Sequence, residues 1–232
     1  MNESNVIKSC SDCVAKWKTF QHLNKAEMEY VNENRYEATF KPGEIIVKQN
    51  SPTANAIFLS EGLAKVYVEG LKGRDYIMSI AKPGRMLMGP GAYVNLRHTY
   101  TVSAITQVRA CFINFDVFRK LVKTNGEFAQ AMIEDISAKS LRTHIKMVNL
   151  AHKKMPGRLA ETLLYFANDI FKSDEFDMIL SRQELGEMSN MAKESVVRIL
   201  KEFEEAGVIY SPSPSRMMIT DKEKLIMISD KG

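Results

Sequence analysis

The sequence has few cysteines, and it lacks long apolar runs. Three cysteines in 232 residues are too few, and odd in number, for the disulfide framework of a secreted protein. No stretch approaches the roughly 18 apolar residues of a membrane helix, and residues 1–11 have no apolar core of signal-peptide type. These absences favour a cytoplasmic protein without a membrane partner.

Catalytic motifs are absent as well. The chain contains neither the G-x-x-x-x-G-K-[ST] pattern of a phosphate-binding loop nor the G-x-S-x-G pattern of a serine hydrolase. Its four histidines show no metal-ligand spacing. We therefore expect that the protein is not an enzyme.

Charge is distributed unevenly along the chain. The net charge is +4, but residues 155–232 carry ten Lys and Arg against fourteen Asp and Glu. Because a nucleic-acid-binding region is usually basic, DNA contacts in this part require a locally basic face. The basic remainder of the chain is either an ordinary solvated surface or a site for an anionic effector or bent DNA.

The first half of the chain has the pattern of a β-domain. A helical segment is predicted at residues 17–34, and turns such as Pro42-Gly43 and Pro83-Gly84 follow it. Between the turns lie five runs rich in strand-forming residues, beginning at Glu44, Ala56, Lys65, Tyr76 and Val108. Strands separated by glycine turns in this way indicate an antiparallel barrel or roll.

A helical period with an apolar seam comes next. Ala138 and Ile145 are seven residues apart, as are Leu141 and Val148, which is the a/d spacing of a two-stranded coiled coil. The seam predicts a dimer interface, and the alternative is a core helix in a monomer. A second apolar stripe is expected to face the roll: Met132, Ile136, Met147 and Leu150.

Residues 181–207 have the pattern of a helix-turn-helix. Ser181, followed three residues later by Glu184, forms a capping box for a short first helix. A turn at residues 189–190 precedes a second helix over about 192–206, which glycine terminates. A hairpin after it would form a wing. In such a motif the second helix lies in the major groove of DNA.

One face of the second helix carries side chains that can read bases. Lys193 and Val197 are four residues apart, as are Glu194 and Arg198, so each pair shares a side of the helix. Arginine can bind guanine with two hydrogen bonds, and glutamate accepts from the cytosine amino group. The opposite face is expected to be core: Val196, Ile199, Leu200 and Phe203. The alternative is a generic amphipathic helix pair with surface charges.

With these elements in this order, the chain resembles the Crp/Fnr family of bacterial transcription regulators over nearly its whole length. The strongest matches are SRQELGEMSNMAKESVVRILKEFEEAGVI and the preceding NLAHKKMPGRLAETLLYFA. The resemblance implies an α+β fold. An N-terminal antiparallel β-roll of the cyclic-nucleotide-binding type (a double-stranded β-helix) would occupy residues 1–125, a dimerisation helix 126–154, and a winged helix-turn-helix 155–232.

The resemblance also implies a DNA-binding set, in which Lys193, Glu194 and Arg198 read bases while Arg182 and Gln183 contact phosphate. The full set is Arg182, Gln183, Lys193, Glu194, Ser195, Val197 and Arg198. Two residues depart from the family pattern. Val197 replaces a Gly or Ser and is expected near a thymine methyl, and Ala192 replaces a capping Ser or Thr at a cost of about 1 kcal/mol.

The function implied is that of a homodimeric, sequence-specific transcription regulator. An effector bound to the β-roll would reposition the helix-turn-helix domains, and the partners would be double-stranded DNA and RNA polymerase. The alternative is a cyclic-nucleotide-type regulatory module of an enzyme or channel that does not bind DNA.

The effector is not identified by the sequence. Cyclic-nucleotide-binding members of the family carry a Gly-Glu-Leu turn, whose Glu takes the ribose hydroxyl, and then an Arg-Ser pair that holds the phosphate. Here the first stretch reads Gly89-Pro90-Gly91, so the acidic residue is missing, which argues against cyclic AMP. The expected effector residues are Gly89, Arg97, His98 and Thr99, with Thr143 and His144 from the dimer helix. The last two also fit polar interface positions.

The cysteines resemble part of the ligand set of the oxygen-sensing Fnr branch. Cys10 and Cys13 form a C-x-x-C pair, and Cys111 falls at the position of the distant ligand. An iron–sulfur cluster normally needs four ligands, and Thr19 stands where the third N-terminal cysteine would be. A cluster on Cys10, Cys13 and Cys111 would need a non-cysteine ligand such as Asp12 or His22, so the sequence argues against a cluster and leaves the cofactor unknown. A thiol or other metal role and no role at all stay open: Cys111 also fits a small buried strand residue, and the pair fits a mobile N-terminal tail.

Overall fold

A computed structural model describes residues 10, 13, 16–70, 73–87, 89, 91–213 and 215–232 of the chain. The chain divides into two units, which are Met1–Glu69 with Ser79–Lys139 and Gly70–Met78 with Ser140–Gly232. We refer to them as the first and the second unit.

Eight strands form in the described part of the first half of the chain. They are β1 (Arg35–Phe40), β2 (Ile45–Val47), β3 (Asn55–Glu61), β4 (Ala64–Val68), β5 (Tyr76–Ala81), β6 (Met86–Leu87), β7 (Thr101–Ala104) and β8 (Val108–Asn114). They make two four-stranded sheets, ordered β1-β8-β3-β6 and β2-β7-β4-β5. Antiparallel pairing sets Phe112 opposite Tyr36 on one side and Ile57 on the other. The predicted roll is confirmed. The sequence pattern missed β1, β6 and β7, which are short or rich in polar residues.

The core of the roll is shared by both sheets. Its buried side chains include Ile57, Leu59, Val66, Val102 and Val108. Because β-branched and leucine side chains from facing sheets fill this space, the apolar runs of the sequence point inward.

Helices surround a second, aromatic cluster in the first unit. They are α1 (Lys25–Glu33), α2 (Gly91–Val94), α3 (Phe115–Thr124) and the beginning of α4 (Gly126–His152). The Trp17 ring centre lies 5.8 Å from that of Phe58 and 6.1 Å from that of Phe128. Tilted and edge-on aromatic pairs at such separations stabilise a core beyond the area that they bury.

The predicted helical segment at 17–34 is two pieces. A 3-10 turn at Lys18–His22 precedes α1, and a capping box separates them. The Asn24 side chain accepts from the backbone N–H of Glu27 at 3.0 Å, and the Glu27 carboxylate accepts from the Asn24 N–H at 2.9 Å. The helix therefore restarts at Lys25, because these two bonds satisfy its first donors.

Helix α4 spans the boundary between the two units, which falls between Lys139 and Ser140. Only its first turns supply buried side chains, Phe128 and Met132. Ile136 is 44% exposed, so the prediction that it faces the roll is wrong. Met147, which belongs to the second unit, is 62% exposed, and for it this orientation stays a prediction. None of the helices in the described ranges has the length and hydropathy that crossing a bilayer requires.

The second unit continues with short helices and a small sheet. Its elements are α5 (Met155–Tyr165), a π-helical segment (Phe166–Phe171), β9 (Glu175–Asp177), α6 (Arg182–Ser189), α7 (Lys193–Glu205), β10 (Ile209–Ser213), β11 (Arg216–Ile219) and α8 (Lys222–Lys231). The sheet has the order β10-β11-β9. Leu159, Leu163, Leu185, Val196 and Ile199 are fully buried. This is the predicted winged helix-turn-helix.

Candidate functional site

The first helix of the helix-turn-helix begins and ends as the sequence predicts. The Ser181 hydroxyl accepts from the N–H of Glu184 at 3.2 Å, and the Glu184 carboxylate accepts from the N–H of Ser181 at 2.8 Å. At the other end Asn190 adopts a left-handed conformation, with φ of +52°, and this residue type tolerates that region better than most. Helix α6 is thus fixed at both ends by local interactions.

Gly186 was not singled out by the sequence, yet the turn depends on it. Its carbonyl oxygen accepts from the N–H of Met191 at 2.9 Å. A Cβ atom at position 186 would lie 2.5 Å from the Met191 carbonyl oxygen, well inside van der Waals contact. Only glycine lets α6 and the turn approach this closely. A glycine within a short helical pattern before a turn was the available signal.

Helix α7 separates its two faces as predicted. Val196, Ile199, Leu200 and Phe203 are buried. On the other side Lys193, Glu194 and Arg198 are exposed, and Val197 is 50% exposed. Ser195 is partly buried. An exposed aliphatic side chain among charged ones suits contact with the methyl group of a thymine.

The N-terminus of α7 is open. Ala192 is the N-cap, and no side chain caps it. The sequence analysis predicted that Ala192, in place of Ser or Thr, leaves this helix without a side-chain cap. The first N–H groups of α7 therefore stay available to water or to an anion.

Three side chains of this region have acidic neighbours: Arg182, Gln183 and Arg198. Arg198 pairs with Glu202 one turn further along α7, a partner that the sequence analysis did not identify. Gln183 donates to Glu187 at 3.2 Å. Arg182 is partly buried, and burial lowers its pKa while the nearby Glu204 opposes the shift. The guanidinium remains charged at any physiological pH.

The wing carries one arginine, and it is paired. Arg216 donates to Glu175 at 2.8 Å and to Asp177 at 3.1 Å, both on β9. These two carboxylates raise the pKa of Arg216. The pairs fix the wing to β9 and reduce its positive charge.

The predicted dimer seam is an exposed surface of the single chain. Ala138 is exposed, and Leu141, Ile145 and Val148 are 61%, 52% and 52% exposed. Adjacent exposed apolar side chains belong to Ile133 and to the Ile136 and Met147 described above. Soluble proteins rarely leave a contiguous apolar surface of this kind uncovered.

The predicted effector residues of the first unit do not converge on one charged site. Arg97 is exposed and donates to the backbone carbonyl of Asn50. His98 is 6% exposed, and burial lowers its pKa, so the ring is neutral at pH 7. Thr99 is exposed. Of these two adjacent residues, one is engaged at the surface and the other is buried and uncharged, and their role in effector binding stays a prediction.

Gly89 lies where there is little room for a side chain. A Cβ there would be 2.9 Å from the Thr99 hydroxyl and 3.1 Å from the Tyr100 ring. The backbone of this stretch thus packs directly against the segment that follows it. Thr143 and His144, on the part of α4 that belongs to the second unit, are exposed.

No group of three His, Cys, Asp or Glu side chains that could hold a metal ion occurs among the residues that the structure describes. Cys10 is buried, and Cys13 and Cys111 are partly buried, all three as free thiols. Asp12, which the sequence left open as a non-cysteine ligand, lies outside the described residues.

Comparison with known protein families gives two matches along the chain. Residues 37–125 match the cyclic nucleotide-binding domain, and residues 157–228 match the Crp-like helix-turn-helix domain. Together they cover well over half of the chain, in the order that the structure shows. No such pairing is expected of a regulatory module that does not bind DNA.

Similar proteins of known role are transcription regulators. The CRP-like cAMP-activated global transcriptional regulator of Mycobacterium tuberculosis is 22% identical over 219 residues, covering 92% of this chain and 97% of that protein. The cAMP-activated global transcriptional regulator CRP of Escherichia coli O157:H7 is 24% identical over 168 residues, covering 71% and 80%.

Solved structures share the fold. FixK2 from Bradyrhizobium japonicum superposes with a TM-score of 0.76 at 17% identity, covering 84% of this chain and 96% of that one. TTHA1359, a CRP/FNR family regulator from Thermus thermophilus, gives a TM-score of 0.67 at 19% identity, covering 84% and 98%. With a β-roll, a long helix and a winged helix-turn-helix matched in sequence and in structure, the chain belongs to the Crp/Fnr family of DNA-binding transcription regulators.

Proposed function

We propose that the protein binds a two-fold-symmetric DNA site as a homodimer and reads bases with Lys193, Glu194, Val197 and Arg198. The observation that carries the proposal is the exposed face of α7, where these four side chains lie together opposite a buried apolar face. Guanine can bind the arginine through two hydrogen bonds, and cytosine can donate to the glutamate. We expect each half-site to contain a G·C pair.

Arg182, Gln183 and Ser195 are proposed to contact the phosphate backbone or to support the reading face. Arg182 is held in place by partial burial beside Glu204. Such contacts fix the register of a protein on the duplex without reading its sequence. Because residues 155–232 are acidic overall, the electrostatic attraction to DNA has to come from a few basic side chains, Arg182, Lys193 and Arg198.

Dimerisation through α4 is the second part of the proposal. The exposed seam of Ala138, Leu141, Ile145 and Val148 has the spacing of a coiled coil. A two-fold dimer about this seam would set two copies of α7 about 34 Å apart, one turn of DNA. RNA polymerase is the partner that we propose for the DNA-bound dimer.

The effector of the β-roll is proposed to differ from cyclic AMP bound in the family's usual mode. The Gly89 stretch lacks the acidic residue that takes the ribose hydroxyl. Arg97 is engaged with a backbone carbonyl, and His98 is buried. The two relatives named as cAMP-activated are at most 24% identical to this chain, so their ligand is not carried over.

The test compares two arginines on a selected operator. Arg198→Ala should cost about 1–3 kcal/mol on the best site and relax the preference at one base pair. Arg182→Ala should weaken all sequences about equally and reduce the salt dependence of binding. Lys231→Ala, at the exposed end of α8, is the control and should change neither. Wild-type affinity of Arg198→Ala for the best site would refute the proposed reading face.

A further inference from the structure

Two charges of opposite sign lie one turn apart on the exposed face of α7. Glu194 and Arg198 are separated by four residues, a spacing at which two side chains on a helix can form an ion pair. If they paired with each other, the donors of the arginine and the oxygens of the carboxylate would be turned toward each other. Neither side chain would then be well placed to read a base.

Arg198 pairs with a different carboxylate. Glu202 follows it by four residues, and Nη1 of Arg198 donates to Oε1 of Glu202 at 2.5 Å. Among the described residues, Arg198 forms its ion pair with Glu202 and not with Glu194. On an isolated helix the glutamate that precedes the cation gives the better pair. The arrangement on α7 is therefore the reverse of the one that local preference favours.

This pairing leaves the proposed base contacts available. The side chains of Arg198 and Glu202 are 56% and 49% exposed, so the pair lies at the protein surface. The bond uses Nη1, and the edge of the guanidinium formed by Nε and Nη2 can still give guanine two hydrogen bonds. Glu194 keeps its oxygens for the amino group of a cytosine.

We propose that Glu202 is a positioning residue for base specificity, which holds Arg198 away from Glu194 and in one orientation. The inference rests on the reading face proposed above. An arginine that is held before DNA arrives loses less side-chain freedom on binding. It is also less free to turn to a phosphate, a contact that carries no sequence information. Glu202 should therefore increase discrimination between sequences, while its negative charge lowers the affinity for all of them.

The same helix offers a matched control. Lys201 and Glu205 form a second pair with four-residue spacing, with Nζ 3.6 Å from Oε1, and both side chains are exposed. Glu205→Ala removes the same charge as Glu202→Ala and leaves the partner of Arg198 in place. Because exposed pairs of this kind add little to stability, both variants should unfold at the wild-type Tm.

The experiment uses the full chain and a DNA site that the wild-type protein selects from random sequence. Each base pair of the site is changed in turn, and discrimination is the Kd on the changed site divided by the Kd on the selected one. Arg198→Ala and Glu194→Ala identify the base pair that each residue reads. Glu202→Ala should lower discrimination at both of these base pairs by about 3- to 10-fold, whereas Glu205→Ala should keep it.

A conservative variant separates position from charge. Glu202→Gln loses the charge, but its amide oxygen can still accept from Nη1 of Arg198. We expect this variant to keep part of the discrimination that Glu202→Ala loses. Equal losses in the two variants would overturn the proposal, because charge alone would then explain the effect.

Two further results would also overturn it: wild-type discrimination in Glu202→Ala, or an equal loss in Glu205→Ala. Arg198→Ala distinguishes this failure from a failure of the proposed reading face. If Arg198→Ala loses the preference at one base pair while Glu202→Ala keeps it, only the role of Glu202 is wrong. If Arg198→Ala keeps every preference, the reading face is wrong and the role of Glu202 falls with it.

Discussion

The reading face of α7 and the stretch from Gly89 to Thr99 are built in opposite ways. The exposed side chains of α7 come from two turns of one helix, so their relative positions follow from helical periodicity alone. The second stretch contains the short helix α2, and the residues after that helix are hydrogen-bonded through their backbone to a loop elsewhere in the chain. Asn50 donates to the carbonyl of His98 at 2.8 Å, and His98 donates to that of Ser51 at 2.9 Å.

The difference shows how far sequence spacing can place the side chains of each region. Arg97 and His98 are adjacent in the sequence and are both among the expected effector residues. In the structure one is at the surface and the other is buried and neutral. Local patterns place the side chains of one helix, whereas burial in an irregular stretch is decided by distant segments.

The largest effect is expected from breaking the dimer, since a complete reading helix should be insufficient by itself. Leu141→Lys combined with Ile145→Lys places charges on the exposed seam. We expect a monomer by light scattering and a loss of DNA affinity of about 100-fold or more, because the second half-site no longer adds to binding. Ser140→Lys, beside the seam, is the matched control. A stable dimer of the double variant would show that the seam is elsewhere.

A smaller effect is expected at the turn after α6. It tests whether this turn, like the reading face of α7, is fixed by residues that are close in the sequence. Gly186→Ala should destabilise the second unit by about 1–3 kcal/mol through overlap with the Met191 carbonyl. Gly126→Ala, at the start of α4, adds the same methyl group where no atom lies within 4 Å. Denaturant unfolding of both variants measures the difference. Equal stabilities would mean that α6 and the turn can separate at little cost.

A third prediction concerns Lys146, whose contacts no local sequence pattern reveals. Its Nζ donates to the carbonyls of Met78 at 2.8 Å and Ile77 at 3.3 Å, within the second unit. Burial lowers the pKa of Lys146 to about 8. Between this value and its unfolded pKa the folded state binds fewer protons, so stability should increase as pH rises from 8 toward 10.

Lys146→Met removes that titration. Relative to the variant, the wild type should gain on the order of 2 kcal/mol of unfolding free energy between pH 7.5 and 10. The window ends below the folded pKa of Tyr76, which burial raises to about 12. Parallel stability curves for the two proteins would contradict the burial of a charged Lys146.

The last prediction is that cyclic AMP does not bind measurably. Titration calorimetry with cyclic AMP should detect no binding tighter than about 100 μM, or about 5.5 kcal/mol, because no carboxylate at the Gly89 stretch takes the ribose hydroxyl. Micromolar binding would show that other residues supply this contact. Thr143→Ala and His144→Ala would then be the first variants to examine.

The sequence by itself determined the elements whose information is local. The capping box at Ser181, the faces of α7 and the strand runs of the roll follow from periodicity and from turn chemistry, which depend on a few neighbouring residues. The a/d spacing of the seam on α4 could also be recognised from the sequence. The sequence analysis missed strands β1, β6 and β7 because their pairing partners, more than their own residues, make them strands.

Only the tertiary structure decided what distant residues do to one another. Sequence spacing pairs Cys10 with Cys13, whereas folding places Cys10 and Arg35 on the same acceptor, the side-chain oxygen of Asn32. It also buried Lys146 against two carbonyls, put Arg216 between two acidic side chains, and left Gly186 without room for a methyl group. Burial, charge pairing and close backbone approach depend on which segments pack together, and packing is a property of the whole chain.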